Sequence, residues 1–379
     1  MNLAIGKGGL SMKKCSFCGL MKDDSEIIEG LEANICLECL ETEQMNRREE
    51  PTKPMLKPHE MKRELDKYVI AQEDAKKKLC VEVYNHYKRI SIHKKNVEFP
   101  KTNILLIGPS GSGKTYLLER LSKILQVPMV IGDATEFTEA GYVGKDVDTL
   151  LYDLIDKANG DLELAEKGII YIDEIDKLCV RSGDVVGRDV GGTGVQNSLL
   201  KMMEGMECSL KTGDVIQTKN ILFICGGAFD GLEKIISNRI APSGKVGFGM
   251  QQKKETSGEV LKYVTEEDLL KYGFVREFLG RLPMIVTLQK LSEENLKEIL
   301  TRPKNSIVKQ YTALLKADGI KLKFSKDAIN YIAKKAYEKG TGARALNGIL
   351  SEKLNELMYE IPMKPDVTEY TITQEYLKQ

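Results

Sequence analysis

The sequence predicts an α/β protein whose largest part is built on a parallel β-sheet. Short apolar runs of strand length alternate with stretches of helical spacing, and this alternation is typical of parallel sheets. The runs that predict strands are residues 103–107, 127–131, 169–172 and 220–227. A glycine-rich loop follows the first run, and two carboxylates follow the third. Groups at the carboxyl ends of parallel strands face the ligand crevice of such folds, so both are candidate functional groups.

Composition limits the class of protein. The 379 residues suggest about two or three domains, and a hydrophobic content of 42% fits a sizeable core. Basic and acidic residues both number 56, and this balance argues against a dedicated nucleic-acid binder. No run approaches the roughly 18 apolar residues of a membrane span, and the N-terminus lacks a signal-peptide core. We therefore predict a cytoplasmic protein that does not associate with membranes.

The glycine-rich loop after residues 103–107 fits the pattern G-x-x-x-x-G-K-[ST]. It reads Gly108-Pro109-Ser110-Gly111-Ser112-Gly113-Lys114-Thr115. A strand before the loop and helical spacing after it are the setting that a phosphate loop requires. Backbone N–H groups and the helix N-terminus would surround the phosphates, Lys114 would reach the β- and γ-phosphates, and Thr115 would hold Mg²⁺. The loop predicts a nucleotide site, and an ordinary glycine-rich turn is the weaker alternative.

The apolar run at 169–172 ends in Asp173 and Glu174. Asp173 would hold Mg²⁺, and Glu174 would polarise the attacking water as a general base. A strand that ends in acids is weak evidence alone but a strong indication downstream of a phosphate loop. Because a simple kinase would not need the adjacent glutamate, the pair favours hydrolysis over transfer to a small substrate.

Four of the eight cysteines lie near the N-terminus in two C-x₂-C pairs, namely Cys15 with Cys18 and Cys36 with Cys39. This is the spacing of a structural zinc site, because four thiolates satisfy tetrahedral Zn²⁺ and leave no open position. So short a segment has too little core to fold alone, and the metal would supply the folding energy. A redox pair and coincidence are weaker alternatives. The other cysteines, predicted as buried core residues, are Cys80, Cys179, Cys208 and Cys225.

The hydrophobic pattern of the rest of the chain predicts further helices, long loops and the bounds of four segments. Helices are predicted at 61–92 with a break near 68–72, from Ser292, at 301–317, at 327–339 and from Arg344, with a short strand at 320–324. His86 and His93 are predicted as ordinary polar helix residues. Polar or glycine-rich stretches at 180–194, 205–219 and 241–258 predict long loops, which are either functional or surface insertions. We predict a zinc-binding domain at 1–45, a linker at 46–60, a large α/β domain at 61–288 and a small α+β domain at 289–379.

In this order, the motifs resemble those of the ClpX family of AAA+ unfoldases over nearly the whole length. The segments that carry the resemblance, besides the cysteine pairs and the phosphate loop, are Pro58-His59-Glu60, Tyr68-Val69-Ile70, 84–89, 171–177, 222–229 and Gly280-Arg281-Leu282-Pro283. The resemblance implies an AAA+ P-loop large domain and a small, mainly helical lid. It also implies ATP as the nucleotide, a ring homohexamer, protein substrates and delivery of those substrates to the ClpP peptidase.

The resemblance also implies roles for residues that pattern alone does not single out. Val69 and Ile70 match the segment that packs on adenine. Arg281 matches the arginine finger that reaches a neighbouring subunit's nucleotide, and Arg344 matches the sensor-2 arginine of the lid.

Two further motifs match loops that line the family's axial pore. Tyr142 and Val143, which by themselves predict only a turn with one buried tyrosine, match the first pore loop, where an aromatic and an aliphatic side chain grip any polypeptide. Arg188 matches the second pore loop.

Two segments depart from the family pattern. The loop that selects substrates usually carries Arg-Lys-His, whereas residues 205–214 are short and lack this triplet. The loop that docks ClpP usually reads Ile/Leu-Gly-Phe and here reads Val246-Gly247-Phe248. Val246 has one methylene fewer than isoleucine or leucine, which costs roughly 1 kcal/mol of docking free energy per loop, so we expect weaker docking of ClpP. The missing triplet in the substrate-selecting loop leads us to expect a narrowed client set.

Alternative functions stay open from the sequence. A peptidase-independent, ATP-driven remodelling chaperone is the main one, and the zinc domain would bind adaptors in either case. A non-hydrolysing scaffold and a zinc-dependent DNA-binding ATPase are weaker, because the charge is neutral and the Asp–Glu pair is intact.

Overall fold

The computed structural model describes residues 12–30, 33–40, 55–92, 99–138, 145–179, 192–210, 213, 215–241, 260–364 and 366–378. The chain divides into two compact units, residues 1–55 and 56–379. Within the described ranges, no helix combines the length and the apolar character that crossing a membrane requires.

Within residues 12–30 and 33–40, the N-terminal unit contains two short pairs of antiparallel strands. Strand β1 (Met12–Lys14) pairs with β2 (Met21–Asp23), and β3 (Ile27–Glu29) pairs with β4 (Asn34–Cys36). Over its described residues, the buried apolar core is Cys15, Ile27 and Cys36. This core is far too small to offset the entropy of ordering the segment, which agrees with the expectation that a metal is needed.

The second unit is built on a five-stranded parallel sheet in the order β11-β5-β10-β7-β6. Its strands are β5 (Ile104–Ile107), β6 (Met129–Asp133), β7 (Ile169–Asp173), β10 (Leu222–Gly227) and β11 (Met284–Thr287). The predicted α/β fold with a parallel sheet is therefore confirmed, although β6 begins two residues later than the prediction.

Both faces of this sheet are buried, which explains the continuous apolar runs. In β5, Leu105 and Ile107 belong to one hydrophobic core, and Ile104 and Leu106 belong to the core on the opposite face. The helices of this part are α1 (Pro58–Leu65), α2 (Glu73–Ser91), α3 (Lys114–Leu125), α4 (Thr149–Lys157), α5 (Leu162–Glu166), α6 (Gly192–Glu204), α7 (Leu232–Ile240), α8 (Glu266–Tyr272) and α9 (Arg276–Leu279). Because all five strands run parallel, their carboxyl ends lie along one edge of the sheet.

A third core, formed by residues 291–377, belongs to a smaller helical part that we call the lid. Its elements are α10 (Glu293–Thr301), α11 (Ile307–Ala317), β12 (Lys321–Phe324), α12 (Lys326–Lys339), α13 (Arg344–Glu360), β13 (Glu369–Ile372) and α14 (Gln374–Lys378). Strands β12 and β13 pair in parallel. The mainly helical lid is therefore as predicted, with one strand more than the sequence indicated.

The prediction of a helix at 301–317 was wrong at its start. Thr301 ends α10, and α11 begins at Ile307. Pro303 has no backbone N–H and disfavours helix continuation before it, whereas the Ser306 hydroxyl caps α11 by accepting from the Lys309 N–H at 3.5 Å.

Two further predictions need correction. The stretch 205–219, predicted as a loop, forms a hairpin of β8 (Glu207–Ser209) and β9 (Val215–Gln217). Strands of three residues alternate only once, so their pattern is too short to detect. Cys179 is only partly buried, whereas the predicted burial of Cys80, Cys208 and Cys225 is confirmed.

Candidate functional site

A cavity of about 530 Å³ lies at the carboxyl edge of the sheet, between the phosphate loop and the lid. The predicted site residues that line it are Val69, Ile70, Ser110, Gly111, Ser112, Gly113, Lys114, Thr115, Asp173, Glu174 and Arg344. Gly108 and Pro109 begin the same loop. The structure therefore brings together residues that lie far apart in the chain.

The phosphate loop joins β5 to α3, and Lys114 is the first residue of the helix. The Lys114 ammonium donates to the Gly108 carbonyl oxygen at 2.6 Å. Burial lowers the pKa of Lys114, and the nearby Asp173 and Asp176 carboxylates oppose this effect. A buried cation enclosed by the loop in this way is well placed to meet the negative charge of a phosphate.

Thr115 and Asp173 are neighbours at the bottom of the cavity. The Thr115 hydroxyl donates to Asp173 Oδ2 at 3.3 Å, although the two residues are contributed by α3 and β7. Mg²⁺ prefers hydroxyl, carboxylate and phosphate oxygens, so this pair fits the ion.

Glu174 has an unusual backbone conformation. Its φ of 56° lies in the left-handed region, and its N–H donates to Asp173 Oδ1 at 2.9 Å. Such a conformation costs about 1–3 kcal/mol in a residue other than glycine and is concentrated at functional sites. The chain therefore turns sharply at the end of β7, and Glu174 lines the cavity beside Asp173.

The opposite end of the cavity is apolar. Val69 and Ile70 are buried, and they line the cavity together with Leu291, Ile299 and Ile307 of the lid. An apolar slot of this kind suits the flat face of a nucleotide base.

The two predicted arginines occupy different places. Arg344 begins α13 and lines the cavity, with Nη1 at 3.5 Å from Ser110 Oγ. Among the described residues, Arg281 is not part of the cavity lining. Its Nη2 donates to Glu204 Oε1 at 2.6 Å, and its carbonyl oxygen accepts from Asn103 Nδ2 at 2.9 Å. Arg281 therefore cannot act on the cavity of its own chain in this conformation.

Two buried polar residues near the carboxyl end of β7 were not predicted as site residues, namely Asp176, which lines the cavity, and Tyr171, which belongs to a hydrophobic core. Asp176 accepts from the Phe229 N–H at 3.2 Å through Oδ2, while its Oδ1 and the Tyr171 hydroxyl have no partner within the described part of the chain. A side chain at Gly226 would collide with the Tyr171 hydroxyl, and one at Gly227 with Asp176 Oδ1. The paired glycines at the end of β10 are the sequence signal that could have pointed to these two groups.

Several predicted site residues lie outside the described residues. They are the first pore loop residues Tyr142 and Val143, the second pore loop residue Arg188 and the docking residues Val246, Gly247 and Phe248. Their roles stay predictions, as does the helical setting of His93.

The four N-terminal cysteines form a second candidate site. The sulfur atoms of Cys15, Cys18, Cys36 and Cys39 all lie within 4.8 Å of one another and could hold a metal ion. The Cys36 N–H donates to Cys15 Sγ at 3.3 Å. Backbone hydrogen bonds, the strongest from Cys18, lower the pKa of Cys15 to about 6, whereas side-chain hydrogen bonding, first with Cys36, raises the pKa of Cys39 to about 12. The closeness of the four sulfur atoms is therefore what fits a four-sulfur metal site, in which a bound cation would favour the thiolate form of every cysteine.

A phosphate loop on β5, an acid pair on β7 and a helical lid over the cavity define a P-loop ATPase of the AAA class. The family model described as AAA domain (Cdc48 subfamily) matches residues 99–285. The model described as the C-terminal, D2-small domain of ClpB protein matches residues 291–373.

Full-length relatives narrow the class further. Two curated proteins, from Borrelia duttonii (strain Ly) and Borrelia recurrentis (strain A1), both carry the name ATP-dependent Clp protease ATP-binding subunit ClpX. Each is 46% identical over 386 aligned positions, which cover 95% of this chain and 90% of the relative. The chain belongs to the ClpX family.

Proposed function

We propose that this chain is an ATP-dependent unfoldase and translocase that unfolds client proteins and feeds them to the ClpP peptidase. The observation that carries the proposal is the convergence of Lys114, the Thr115–Asp173 pair and Glu174 in one cavity of a ClpX-family chain. The name of the relatives, a protease ATP-binding subunit, favours this function over a peptidase-independent chaperone with a narrowed client set.

The proposed roles follow from the chemistry of each group. Lys114 holds the β- and γ-phosphates, and Glu174 accepts a proton from the attacking water as the general base. Thr115 and Asp173 would hold Mg²⁺, which would offset the negative charge of the phosphates. Val69 and Ile70 pack on the adenine. The loop N–H groups of residues 108–115 surround the phosphates.

We propose a ring homohexamer, the assembly that the resemblance to the ClpX family implies, and the position of Arg281 outside the cavity of its own chain is consistent with a neighbouring subunit. A neighbouring subunit would then receive Arg281 as an arginine finger, while Arg344 acts within its own chain. The large domain would span 61–288 and the lid 289–379, and rotation between them would move the pore residues Tyr142, Val143 and Arg188 with the gripped client.

The N-terminal cysteines would hold Zn²⁺ as a structural ion, because four thiolates leave no coordination position for a substrate. We propose that this domain, residues 1–45, binds adaptors and is joined to the ATPase through a linker at 46–60. Val246, Gly247 and Phe248 would dock ClpP, with reduced affinity. The balanced charge supports protein clients and not nucleic acid, and we propose a cytoplasmic location without membrane partners.

The test is degradation of a fluorescent, folded client by the full chain with ATP, in the presence and absence of ClpP. We expect ATP-dependent loss of fluorescence and peptide release with ClpP. Glu174→Gln should still bind ATP but hydrolyse it at least about 100-fold more slowly, because the general base is lost.

Glu163→Gln is the matched control, since Glu163 is a surface acid on α5 that pairs only locally with Lys167. Its hydrolysis rate should equal that of the wild type. Turnover at the wild-type rate in Glu174→Gln would contradict the assigned base. Unfolding of the client without any peptide release when ClpP is present would move the function to the remodelling chaperone.

A further inference from the structure

We infer that Gln72 is a positioning residue that ties the phosphate loop to the junction between the large domain and the lid. The inference rests on the proposed function, because it assigns the tie a role in ATP hydrolysis. Gln72 lies just after the Val69–Ile70 segment and before α2, and only 7% of its surface is exposed.

The side-chain amide of Gln72 bonds to backbone groups of two distant segments. Its Nε2 donates to the Gln289 carbonyl oxygen at 2.8 Å and to the Ser112 carbonyl oxygen at 3.3 Å. Its Oε1 accepts from the Gln289 N–H at 2.9 Å. The amide therefore pairs with Gln289 as a neighbouring strand would, and its second N–H proton is left for the phosphate loop.

Gln289 lies where the chain leaves the large domain. Leu288 belongs to the core under the sheet, and its N–H donates to the Ile107 carbonyl oxygen at 2.7 Å. Leu291, two residues after Gln289, belongs to the lid core. Gln289 and Lys290 thus form the junction between the two cores. Rotation of the lid about this junction must change the geometry of the Gln72–Gln289 pair.

The direction of the Ser112 carbonyl determines the direction of the next N–H group in the phosphate loop. In a trans peptide the C=O and the following N–H point in opposite directions. Holding the Ser112 oxygen toward Gln72 therefore turns the Gly113 N–H to the other side of the loop. Inward-facing N–H groups are what a phosphate loop offers its ligand, so Gln72 helps to set the loop for phosphate.

The preceding carbonyl of the loop is tied to the lid itself. The Ala343 N–H donates to the Gly111 carbonyl oxygen at 3.1 Å, one residue before Arg344. A side chain at Gly111 would collide with the Thr341 carbonyl oxygen, so this close approach requires glycine. Two consecutive carbonyl oxygens of the loop thus accept hydrogen bonds. The Gly111 oxygen accepts from the lid, and the Ser112 oxygen accepts from Gln72, which also bonds Gln289 at the junction.

The backbone at Gln72 is consistent with a fixed role. Ala71 and Gln72 have φ values of 59° and 62°, a conformation that residues other than glycine adopt at a cost. Such conformations persist where surrounding contacts over-determine them. The three bonds of the Gln72 amide are contacts of this kind. Neither an apolar side chain nor a carboxylate of similar size can make all three of them.

The test compares Gln72→Met with Gln196→Met in the full chain. Gln196 is also buried, with 1% of its surface exposed, and its amide donates to the Leu178 carbonyl oxygen at 2.9 Å and accepts from the Val275 N–H at 3.2 Å, away from the junction. Each variant is measured for kcat and KM of ATP hydrolysis. Nucleotide-induced movement of the lid is followed by energy transfer between dyes at Lys123 and Lys334, two exposed positions on α3 and α12.

We expect Gln72→Met to lower kcat at least about tenfold with KM changed by less than about threefold, and to lose most of the nucleotide-induced change in energy transfer. Gln196→Met should keep kcat within about twofold of the wild type. Equal kcat and equal lid movement in Gln72→Met and wild type would overturn the inference, as would equal losses in both variants. Failure of the wild type to hydrolyse ATP would instead overturn the proposed function.

Gln72→Glu keeps the inference testable if Gln72→Met does not fold. The ionised carboxylate can accept from the Gln289 N–H but offers no proton to the carbonyls of Gln289 and Ser112. Burial beside the two carbonyl oxygens raises the pKa of a carboxyl at this position, and protonation restores one donor. The kcat relative to wild type should therefore rise at least about threefold as the pH falls from 8 to 6. A ratio that stays flat over this range would overturn the inference.

Discussion

At the scale of single residues, three basic side chains bind three consecutive carbonyl oxygens at residues 218–220. Lys101 donates to Thr218 at 2.7 Å, Arg89 donates to Lys219 at 3.1 Å, and His86 Nε2 lies 2.9 Å from the Asn220 oxygen. His86 and Arg89 anchor the chain after the β8–β9 hairpin onto α2, and Lys101 anchors it onto the segment before β5. His86 is therefore a buried anchor and not an ordinary polar helix residue, and nothing in its local sequence distinguishes these two environments.

The burial of His86 affects the stability of the protein in acid. Because a carbonyl can only accept, His86 Nε2 carries the proton, and the ring is neutral. Burial, followed by the nearby charge of Arg89, lowers the pKa of His86 to about 3. Between this value and the unfolded pKa of about 6.5, the unfolded state binds a proton that the folded state does not.

We therefore predict that His86 removes stability as the pH falls from about 6.5 to about 4, by up to about 1.4 kcal/mol per pH unit. Urea unfolding at a series of pH values measures this. In His86→Gln the pH dependence should be shallower, so its stability deficit relative to wild type should shrink toward pH 4.

His59 provides the control because it is exposed on α1. His59→Gln should follow the wild-type pH dependence closely. If the His86→Gln and wild-type curves run parallel throughout, the buried neutral ring is not the cause of acid sensitivity.

At the scale of elements, the N-terminal hairpins have a very small hydrophobic core beside four cysteines that could hold a metal ion. Cys15 follows β1 and Cys36 ends β4, and backbone N–H groups of Phe17, Cys18 and Cys36 bond the sulfur of Cys15. The exposed apolar side chains of this unit include Phe17, Leu20 and Met21, so burial contributes little to its folding.

We predict that removal of the metal unfolds this unit selectively. Treatment with a strong zinc chelator, followed by its removal and the return of Mg²⁺, or the Cys36→Ser substitution, should make residues 12–40 sensitive to protease. Basal ATP hydrolysis should persist, because the ATPase part has its own cores. A colorimetric assay confirms the release of zinc, mass spectrometry identifies the protease fragments, and phosphate release measures hydrolysis.

Cys208→Ser is the control, since Cys208 lies in β8 outside the cluster. It should retain the metal and the protease resistance of residues 12–40. An N-terminal unit that stays resistant after complete metal removal would contradict a structural role for the site.

At the scale of the whole molecule, a single chain does not contain a complete catalytic site of the proposed kind. Arg281 is held by Glu204 at the surface, and about half of its side chain is exposed. Exposed ion pairs are weak, at about 0–1 kcal/mol, so a neighbouring phosphate can draw the guanidinium away at little cost. We therefore predict that the site is shared between subunits.

Sharing predicts complementation between two inactive variants. Arg281→Ala should lower hydrolysis at least about 100-fold, because an arginine finger stabilises the charge of the transition state. Mixed in equal amounts with Glu174→Gln, it should recover activity, since a subunit with Glu174 can receive Arg281 from its neighbour. Random assembly places the required pair at about one quarter of the interfaces, so about one quarter of wild-type activity is expected.

Arg302→Ala serves as the control, because Arg302 is an exposed lid arginine paired only with Glu298 one turn earlier. It should hydrolyse ATP at the wild-type rate. If mixing Arg281→Ala and Glu174→Gln gives no more activity than the separate variants, the site is not shared through Arg281.

Much of the ATP site could be predicted because its parts are local. The phosphate loop, the acid pair after β7 and the two C-x₂-C pairs are each contained within eight residues or fewer, and each sits beside a strand or a turn that the pattern also predicts. Helix starts were less certain, as α11 shows, because a proline and a capping serine compete with an otherwise continuous helical pattern.

The sequence by itself determined the parallel α/β class, the nucleotide loop, the hydrolytic acid pair and the four-cysteine set, since periodicity and spacing are local properties of the chain. Only the tertiary structure decided which distant groups meet. It paired Gln72 with Gln289 and placed the buried Tyr171 and Asp176 against paired glycines. It also separated Arg281 from the cavity of its own chain. The physical reason is that these contacts depend on how the cores pack, which no local pattern contains.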